Sequence, residues 1–461
     1  MIKFNNLIIK ETASIKDAMN YIEKNHHRFV IITNSNDEVI AMATDGDIRR
    51  HILHSNDLSQ SILGCANKNF IWGSDSCSRE SIMKKLDHRT LAIPILNNKK
   101  ELIDIVSRDH FPLEDEESIY VRARSPVRIS FGGGGSDLTH YFSEELSGAV
   151  INTTISLHCH ATLKIRSDEK VFIHSKDLNQ TVSFNNLDKL INSKSDFGLI
   201  QAIMKLITPD FGFELFLQSD FPMKSGLGGS AVLSSAILGC FNEIRRDKWD
   251  NYEIAELAYQ AERHYFGVDG GWQDQYATVF GGFNFMEFKM EQNIVHPLRI
   301  PPDIQLELEE SIILCNTGLI HNSGEIHSDQ RKQMENKDVK YLVKKNVELS
   351  YRMRNDLLRG RLLDFGKSLN DAWQLKNKFS SKISTPQIDE IYNSTLKSGA
   401  LGGKLLGAGG GGYFIFYVPP FKKFDVIDQL LDYNLKISPF RFEQEGLKSW
   451  TIRESKNNFE D

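Results

Sequence analysis

A glycine-rich turn at residues 221–231 constrains the fold more than any other feature of the sequence. The residues before Pro222 alternate in the manner of a strand, whereas residues 231–241 (AVLSSAILGCF) form an apolar segment typical of a buried helix. Glycines let the backbone approach a ligand closely, and the first amides and the dipole of a helix favour negative charge. The turn therefore predicts an anion site, with a serine-capped helix start as the purely structural alternative.

The spacing Pro-x-x-x-Gly-Leu-Gly-x-Ser-Ala at residues 222–231 resembles the phosphate-binding motif of the GHMP small-molecule kinases. The resemblance implies ATP and Mg²⁺ as cofactors, and Ser230 as one Mg²⁺ ligand. Gly229 stands where serine is commoner in the family. No G-x-x-x-x-G-K-[ST] sequence occurs in the chain, so a P-loop ATPase finds no support. The residues that the resemblance assigns to the ATP phosphates are Lys224, Ser225, Gly226, Leu227, Gly228, Gly229 and Ser230.

Length and composition narrow the class of protein. A chain of 461 residues predicts about three domains. The net charge of −6 argues against nucleic-acid or membrane-surface partners, and no apolar run approaches the roughly 18 residues of a membrane span. The N-terminus shows no secretory pattern, and the five scattered cysteines fit reduced thiols, so we expect a cytoplasmic protein.

The first 112 residues contain an internal repeat. Residues 34–48 align with residues 97–111, and each copy predicts strands, a polar turn and helices. The repeat resembles a paired CBS module, in which Thr44 and Asp47 would hold the ribose of an adenine nucleotide. The second copy has His110 in place of the aspartate. A spacer or a homodimerisation module without ligand is the alternative.

A second glycine run follows the acidic linker at residues 112–118 and a predicted strand. Residues 132–135 are all glycine, and Asp137 follows them closely. A flexible turn with a capping aspartate would explain this pattern. The run also resembles the first GHMP motif, which implies that Arg128 is its basic residue and that Asp137 binds sugar hydroxyls.

Two acidic residues lie near a predicted helix at 252–266. Glu262 falls on the apolar stripe of that helix, where an unpaired carboxylate would cost several kcal/mol unless a cation or a basic side chain meets it. Asp274 follows after eleven intervening residues, in a setting that is ordinarily a turn. This spacing resembles the sugar-kinase members of the family, which implies that Glu262 binds Mg²⁺ and that Asp274 is the catalytic base, assisted by Arg128.

A third glycine run at residues 407–412 precedes a predicted strand rather than a helix, which disfavours dinucleotide binding. It resembles the third GHMP motif, although a tight hairpin turn would also explain it. The residues that we expect to bind the substrate are Arg124, Gly133, Gly134, Asp137, His140, Gly409 and Gly410.

The three motifs together predict an α+β protein: a paired CBS module at 1–112 and a two-domain GHMP kinase. The resemblance implies a ribosomal S5 domain 2-like N-terminal half at 119–298 and a ferredoxin-like C-terminal half at 299–461.

The glycine run at residues 132–135 and the sequence around Asp274 resemble the branch of the family that phosphorylates fucose-type sugars and D-glycero-D-manno-heptose 7-phosphate. The implied reaction phosphorylates the anomeric hydroxyl of the heptose phosphate, for nucleotide-activated heptose and surface polysaccharide. We expect Arg124, His140 or Lys224 to meet the phosphate of that substrate. The alternatives are a kinase of an unphosphorylated sugar such as fucose and a non-catalytic sensor of sugar and nucleotide.

Overall fold

The computed structural model describes residues 7–55, 57–74, 77, 79–86, 90–107, 116–143, 147–222, 225–319 and 323–455. The described residues divide into two compact units, one within residues 1–117 and the other within residues 118–454. In the described parts, no helix combines the length and the apolar character needed to cross a membrane.

The first unit contains two three-stranded sheets, ordered β1-β2-β3 and β4-β5-β6. Its strands are β1 (Ile8–Lys10), β2 (Phe29–Thr33), β3 (Val39–Thr44), β4 (Gly73–Ser74), β5 (Ala92–Leu96) and β6 (Leu102–Ser107). Its helices are α1 (Ile15–Asn25), α2 (Asp45–Ile52) and α3 (Arg79–Met83), with a 3₁₀ turn at Ile62–Gly64.

The predicted internal repeat is present in both sheets. Each pairs its first two strands in parallel and its last two antiparallel. The two polar turns also match: the Asn34 amide donates to Glu38 at 2.7 Å, and the Asn97 amide donates to Glu101 at 2.7 Å. The same side-chain chemistry therefore closes both turns. His110 lies outside the described residues.

The second unit contains a nine-stranded sheet and a four-stranded sheet. Its strands are β7 (Glu116–Gly132), β8 (Gly148–Ile165), β9 (Val171–Ser175), β10 (Gln180–Phe184), β11 (Phe213–Ser219), β12 (Phe283–Phe288), β13 (Asn293–Pro297), β14 (Ile312–Asn316), β15 (Gly402–Leu405), β16 (Tyr413–Tyr417), β17 (Lys436–Ile437), β18 (Phe442–Glu443) and β19 (Lys448–Ser455). Its helices are α4 (Thr139–Phe142), α5 (Leu187–Ile191), α6 (Gly198–Ile207), α7 (Gly229–Ile244), α8 (Asn251–Gln260), α9 (Gln273–Phe280), α10 (Pro302–Ser311), α11 (Ser323–Gln333), α12 (Lys337–Leu358), α13 (Leu362–Asn377), α14 (Pro386–Lys397) and α15 (Lys423–Asp432).

The nine-stranded sheet is built around the long strand β8, which pairs with β7, β11, β12 and β18. The last strands of the chain, β18 and β19, return to this sheet and pair with β8 and β7. Residues 442–455 therefore do not belong to the C-terminal half in space, unlike the expected boundary 299–461. Strand periodicity gives a strand's faces but not the sheet that it joins, so the sequence could not show this.

The four-stranded sheet has the order β15-β16-β14-β17, with antiparallel pairs throughout. Taken in chain order, helices separate the first strand from the second and the third from the fourth. This βαββαβ connection is the ferredoxin-like arrangement that we predicted for the C-terminal half. Buried side chains of both sheets and the helices around them form one continuous core.

The helix predicted after the glycine-rich turn is α7, which begins two residues earlier than expected, at Gly229. The helix predicted at 252–266 is α8, extended by a π-helical turn at Ala261–Tyr265. Asp250 and Glu253 form a capping box at the start of α8. Functional sites often contain such a π turn, and this one contains Glu262.

Candidate active site

Arg128 and Asp274 form a bidentate ion pair that joins the first motif to the start of α9. The Arg128 guanidinium donates from Nε to Asp274 Oδ1 at 2.8 Å and from Nη2 to Oδ2 at 2.7 Å. Its third nitrogen, Nη1, donates to the carbonyl of Gly226 at 2.7 Å. Arg128 is buried, so the fork fixes both the carboxylate and the glycine-rich turn in position.

Asp137 is buried beside this pair, and backbone amides hold its carboxylate. The amides of Gly135 and Gln273 donate to its two oxygens at 3.0 and 3.2 Å. Burial, and then the charge of Asp274, raises the pKa of Asp137. A Cβ at Gly271 would lie 1.8 Å from Asp137 Oδ2, so the carboxylate occupies space that only a glycine at this position leaves open.

Ser230 and Glu262, the two predicted Mg²⁺ ligands, are in direct contact. The Ser230 hydroxyl donates to Glu262 Oε1, and the Gln275 amide donates to Oε2 at 2.7 Å. Arg263 Nη1 lies 3.3 Å from the same Oε1, so Glu262 also has the basic neighbour that the sequence allowed as the alternative. The hydroxyl and carboxylate oxygens are hard donors of the kind that Mg²⁺ prefers.

The glycine-rich turn packs backbone to backbone against the third glycine run. A Cβ at Gly407 would lie 2.7 Å from the Cα of Gly226, and the amide of Tyr413 donates to the Ser225 carbonyl at 3.1 Å. Gly228 precedes α7 with a φ of 78°, and no side chain caps this helix. Its first amides are therefore not used by a cap, as an anion site requires.

One cavity brings these residues together. It is lined by Arg128, Asp137, Ser225, Gly226, Gly228, Gly229, Ser230, Glu262 and Asp274, among others. Several buried polar atoms that belong to its lining residues have no hydrogen-bond partner. They are Ser130 Oγ, Ser225 Oγ, Arg263 Nε and Gln273 Oε1. Buried polar atoms are ordinarily satisfied, so these atoms indicate a site for a polar ligand.

The lining residues differ in character with the part of the chain that supplies them. The residues in or beside β9, α6, β11 and α7 include an apolar set, which we call the apolar side: Leu178, Phe197, Leu199, Ile200, Leu217, Phe221 and Leu233. The same segments also contribute the polar residues Ser175, Asp177, Asp196 and Ser219. The residues from the first motif, the turn before α9 and the C-terminal half are mainly polar: Ser130, Gly134, Gly135, Asp137, Gln273, Gln330, Lys376 and Lys404.

Several predicted ligand residues do not line this cavity. Arg124 is half-exposed and pairs with Glu445 at 3.6 Å. Leu227 is fully buried in the core. Gly409 and Gly410 pack against Ile383, whereas Gly407 and Ala408 of the same run reach the cavity.

Gly133 and His140 of the first motif also do not line the cavity. A Cβ at Gly133 would lie 1.8 Å from the Ala149 carbonyl, so this glycine is required by packing, and Gly134 reaches the cavity instead. His140 is not among the lining residues, but its Nε2 is buried without a hydrogen-bond partner. Burial, and then the charge of Arg331, lowers its pKa. Lys224 lies outside the described residues.

Lys376 and Lys404 were missed by the sequence analysis as site residues, although both line the cavity and are buried. A signal existed for Lys376, because it falls seven residues after Leu369 on the apolar stripe of α13, where a lysine is unusual. Lys404 lies in β15 next to the third glycine run, between buried neighbours.

In the first unit, Thr44 and Asp47 bind each other. The Thr44 hydroxyl and amide donate to Asp47 Oδ2 at 2.6 and 2.9 Å, and the Asp47 amide donates back to the hydroxyl. The two residues thus form the capping box of α2. Ser14 and Asp17 form the same capping box at the start of α1.

Three family models match the chain. The model of the GHMP kinases N terminal domain matches residues 197–282, and that of the GHMP kinases C terminal domain matches residues 353–433. The CBS domain model matches residues 1–54, which is the first copy of the repeat.

Three similar proteins illustrate the range of relatives. D-glycero-alpha-D-manno-heptose 7-phosphate kinase of Campylobacter jejuni is 35% identical over 338 residues, 72% of this chain and 99% of that protein. L-fucokinase/L-fucose-1-P guanylyltransferase of Bacteroides fragilis is 28% identical over 64% of this chain and 34% of its own length. The crystal structure of a D-glycero-D-manno-heptose 1-phosphate kinase from Bacteroides thetaiotaomicron aligns with a TM-score of 0.60 and 28% identity, covering 72% of this chain and 100% of that one.

Proposed function

Because the chain belongs to the GHMP kinase family, we propose that it transfers the γ-phosphoryl group of ATP to the anomeric hydroxyl of D-glycero-D-manno-heptose 7-phosphate. Its membership makes it an ATP-dependent phosphotransferase with a hydroxyl acceptor. The similarity to a heptose 7-phosphate kinase, which covers 99% of that protein and 72% of this chain, supports the substrate, and the product would be the 1,7-bisphosphate.

The observation that carries this proposal is the Arg128–Asp274 fork against the glycine-rich turn. In our proposal Asp274 accepts the proton of the attacking hydroxyl. Arg128 holds that carboxylate and offsets the negative charge that develops on the transferred group. Since Arg128 also binds the Gly226 carbonyl, the base and the phosphate-binding backbone keep a fixed separation, which favours in-line transfer.

The ATP phosphates would bind the free amides at the start of α7, between Ser225 and Ser230. Ser230 and Glu262 would hold Mg²⁺, which neutralises charge on the phosphates when it is bound. In the described part of the chain, no group of three or more His, Cys, Asp or Glu residues could hold a metal ion. This fits Mg²⁺, which is usually held by one or two carboxylates and by substrate phosphates.

The apolar side of the cavity is the proposed adenine site. Its residues lie in or beside β9, α6, β11 and α7. Because β11 leads directly into the glycine-rich turn, a base placed there would have its phosphates at α7. Apolar walls with few polar groups are typical of such sites. The sequence alone did not identify these residues.

The polar side of the cavity would bind the sugar. Asp137 would accept hydrogen bonds from sugar hydroxyls, and Gly134 leaves space beside it. Three residues are expected to meet the substrate's own phosphate: Arg124, His140 and Lys224. Of these, His140 lies three residues after Asp137, and its Nε2 atom has no hydrogen-bond partner.

We also infer that the first CBS copy binds an adenine nucleotide at Thr44 and Asp47, and that the CBS module supports a homodimer. Similarity of residues 1–54 to the CBS domain model supports this regulatory part of the proposal.

The direct test incubates the protein with ATP, Mg²⁺ and heptose 7-phosphate and follows ADP release together with ³¹P NMR of the product. We expect a second phosphorus signal at the anomeric position. Release of ADP with free fucose but not with the heptose phosphate would replace this proposal by a fucose-type kinase. No turnover with any sugar, despite binding of sugar and nucleotide, would favour the sensor.

A further inference from the structure

Two buried lysines stand on the polar side of the cavity and have no role in the steps described above. Lys376 lies in the last turn of α13 and is 7% exposed, and Lys404 lies in β15 and is 2% exposed. Both line the cavity. Lysine is among the residues least often buried, and those that are buried are ordinarily paired with an acid.

Neither ammonium group has such a partner. Lys376 Nζ donates to the Gly407 carbonyl, and Lys404 Nζ donates to the Phe131 carbonyl at 3.3 Å. Among the described residues, neither nitrogen forms an ion pair with a carboxylate. Because an ammonium group has three donors, most of the hydrogen-bonding capacity of both side chains stays unused.

The nearest carboxylates are already engaged. The charged groups that act on Lys376 are Arg128, Asp137 and Asp274, and those that act on Lys404 are Lys376, Arg128 and Asp137. Arg128 binds both oxygens of Asp274, and backbone amides bind both oxygens of Asp137. Burial, and then the charge of Arg128, lowers the pKa of Lys376 to about 8. Burial and the charge of Lys376 lower the pKa of Lys404 well below its usual range.

A buried ammonium group without an acidic partner is unfavourable in the absence of a ligand. An anion that enters the cavity would remove that cost and favour the charged form of both lysines. We propose that Lys376 and Lys404 together bind a phosphoryl group of a ligand in this cavity. The inference rests on the proposed kinase function and adds two binding residues to it.

The positions of the two lysines indicate where that phosphoryl group would lie. Gly407, the partner of Lys376, packs against Gly226 of the glycine-rich turn. Phe131, the partner of Lys404, immediately precedes the glycine run at residues 132–135. The pair therefore lies between the ATP-phosphate side and the sugar side. The phosphoryl group belongs either to ATP or to the sugar phosphate, and the chemistry of recognition is the same for both.

Binding of a dianion raises the pKa of both lysines, so the complex takes up protons. At about pH 8.5, where Lys376 is partly deprotonated in the free protein, calorimetry in two buffers of different ionisation enthalpy should show net proton uptake. Absence of proton uptake with every phosphorylated ligand would contradict the proposal, and this measurement needs no variant.

The affinity experiment uses the full chain with Lys376→Met and Lys404→Met, and Lys367→Met as the control. Lys367 lies on the same helix as Lys376 but is 65% exposed. The ligands are the non-hydrolysable analogue AMPPNP with Mg²⁺, ADP with Mg²⁺, heptose 7-phosphate and free heptose. Loss of one charged contact should weaken binding by about 10-fold or more.

The pairs of ligands distinguish the two sources. Weaker binding of AMPPNP, but not of ADP, assigns the lysines to the γ-phosphate of ATP. Weaker binding of heptose 7-phosphate, but not of free heptose, assigns them to the phosphate of the sugar. If both lysine variants bind every ligand as tightly as Lys367→Met does, the proposal is wrong. If the wild-type protein binds AMPPNP but neither sugar, the substrate assignment fails while the ATP arm still tests the lysines.

Discussion

Arg128 donates a hydrogen bond to each oxygen of the Asp274 carboxylate, which we propose to be the catalytic base. Asp274→Asn keeps the size of the side chain but removes the charge that accepts a proton. We expect kcat to fall by roughly 10² or more, the usual scale for loss of a general base, with little change in ATP binding. Steady-state kinetics with calorimetry of ATP binding measures both quantities. Turnover close to that of the wild type would exclude Asp274 as the base.

Lys376 provides a residue-scale prediction for stability. Its pKa is about 8 in the folded protein and near its usual 10.5 in the unfolded chain, so the unfolded chain binds more protons between these values. The wild type therefore gains stability from this group as pH rises from about 8 to 10.5. The penalty of the buried charge is fully present below about pH 8.

In Lys376→Met this penalty is absent. The free energy of unfolding of the variant minus that of the wild type should be largest below about pH 8. This difference should become smaller by a few kcal/mol as the pH rises towards 10.5. Denaturant unfolding across this pH range measures the difference, with the exposed Lys367→Met as the control. A difference that does not depend on pH would show that Lys376 stays charged throughout.

At the scale of secondary-structure elements, the segment between the π turn and α9 positions Asp137. Gly271→Ala places a Cβ 1.8 Å from Asp137 Oδ2 and should displace the carboxylate from the sugar site. We expect kcat/KM for the sugar to fall by about 10-fold or more, the scale of a lost charged hydrogen bond, with the KM for ATP unchanged.

Gly267→Ala is the matched control for this segment, because Gly267 has a φ of 77° and no atom within 4 Å of an added Cβ. It strains the backbone but leaves Asp137 in place. Equal kinetics in the two variants would show that Asp137 does not depend on Gly271.

The two capping boxes of the first unit allow a paired test of the proposed CBS ligand. Asp47→Ala and Asp17→Ala each remove the acidic residue of a capping box, so both should lower stability by a similar amount, about 1 kcal/mol. Only Asp47→Ala should abolish one AMP site in calorimetry on the full chain. Equal AMP binding by both variants would assign Thr44 and Asp47 to helix capping alone.

At the scale of the whole molecule, short motifs predicted most of the candidate site and little of the surrounding chain. The glycine spacing and Ser230 pointed to α7, and the interval from Glu262 to Asp274 anticipated two residues that line one cavity. Such motifs are local, because the backbone conformation that they require depends on neighbouring residues. The internal repeat was readable for the same reason, since both turns use the same asparagine chemistry.

Contacts between segments that are distant along the chain could not be predicted from the sequence. Nothing local distinguishes Lys376 from a surface lysine except its place on the stripe of α13. Nothing in residues 442–455 indicates that they rejoin the nine-stranded sheet. Arg124 shares a strand with Arg128, yet it pairs with Glu445 near the other end of the chain. These outcomes depend on which segments meet in space, which periodicity does not encode.

We propose that this kinase acts on a sugar that already bears a phosphate. The most direct measurement compares kcat/KM for D-glycero-D-manno-heptose 7-phosphate with kcat/KM for free heptose and for fucose, at fixed ATP and Mg²⁺. A built phosphate site predicts a preference of about 10-fold or more for the heptose phosphate, and a smaller preference in His140→Ala. Equal use of the free sugars would contradict the account and favour the fucose-type kinase.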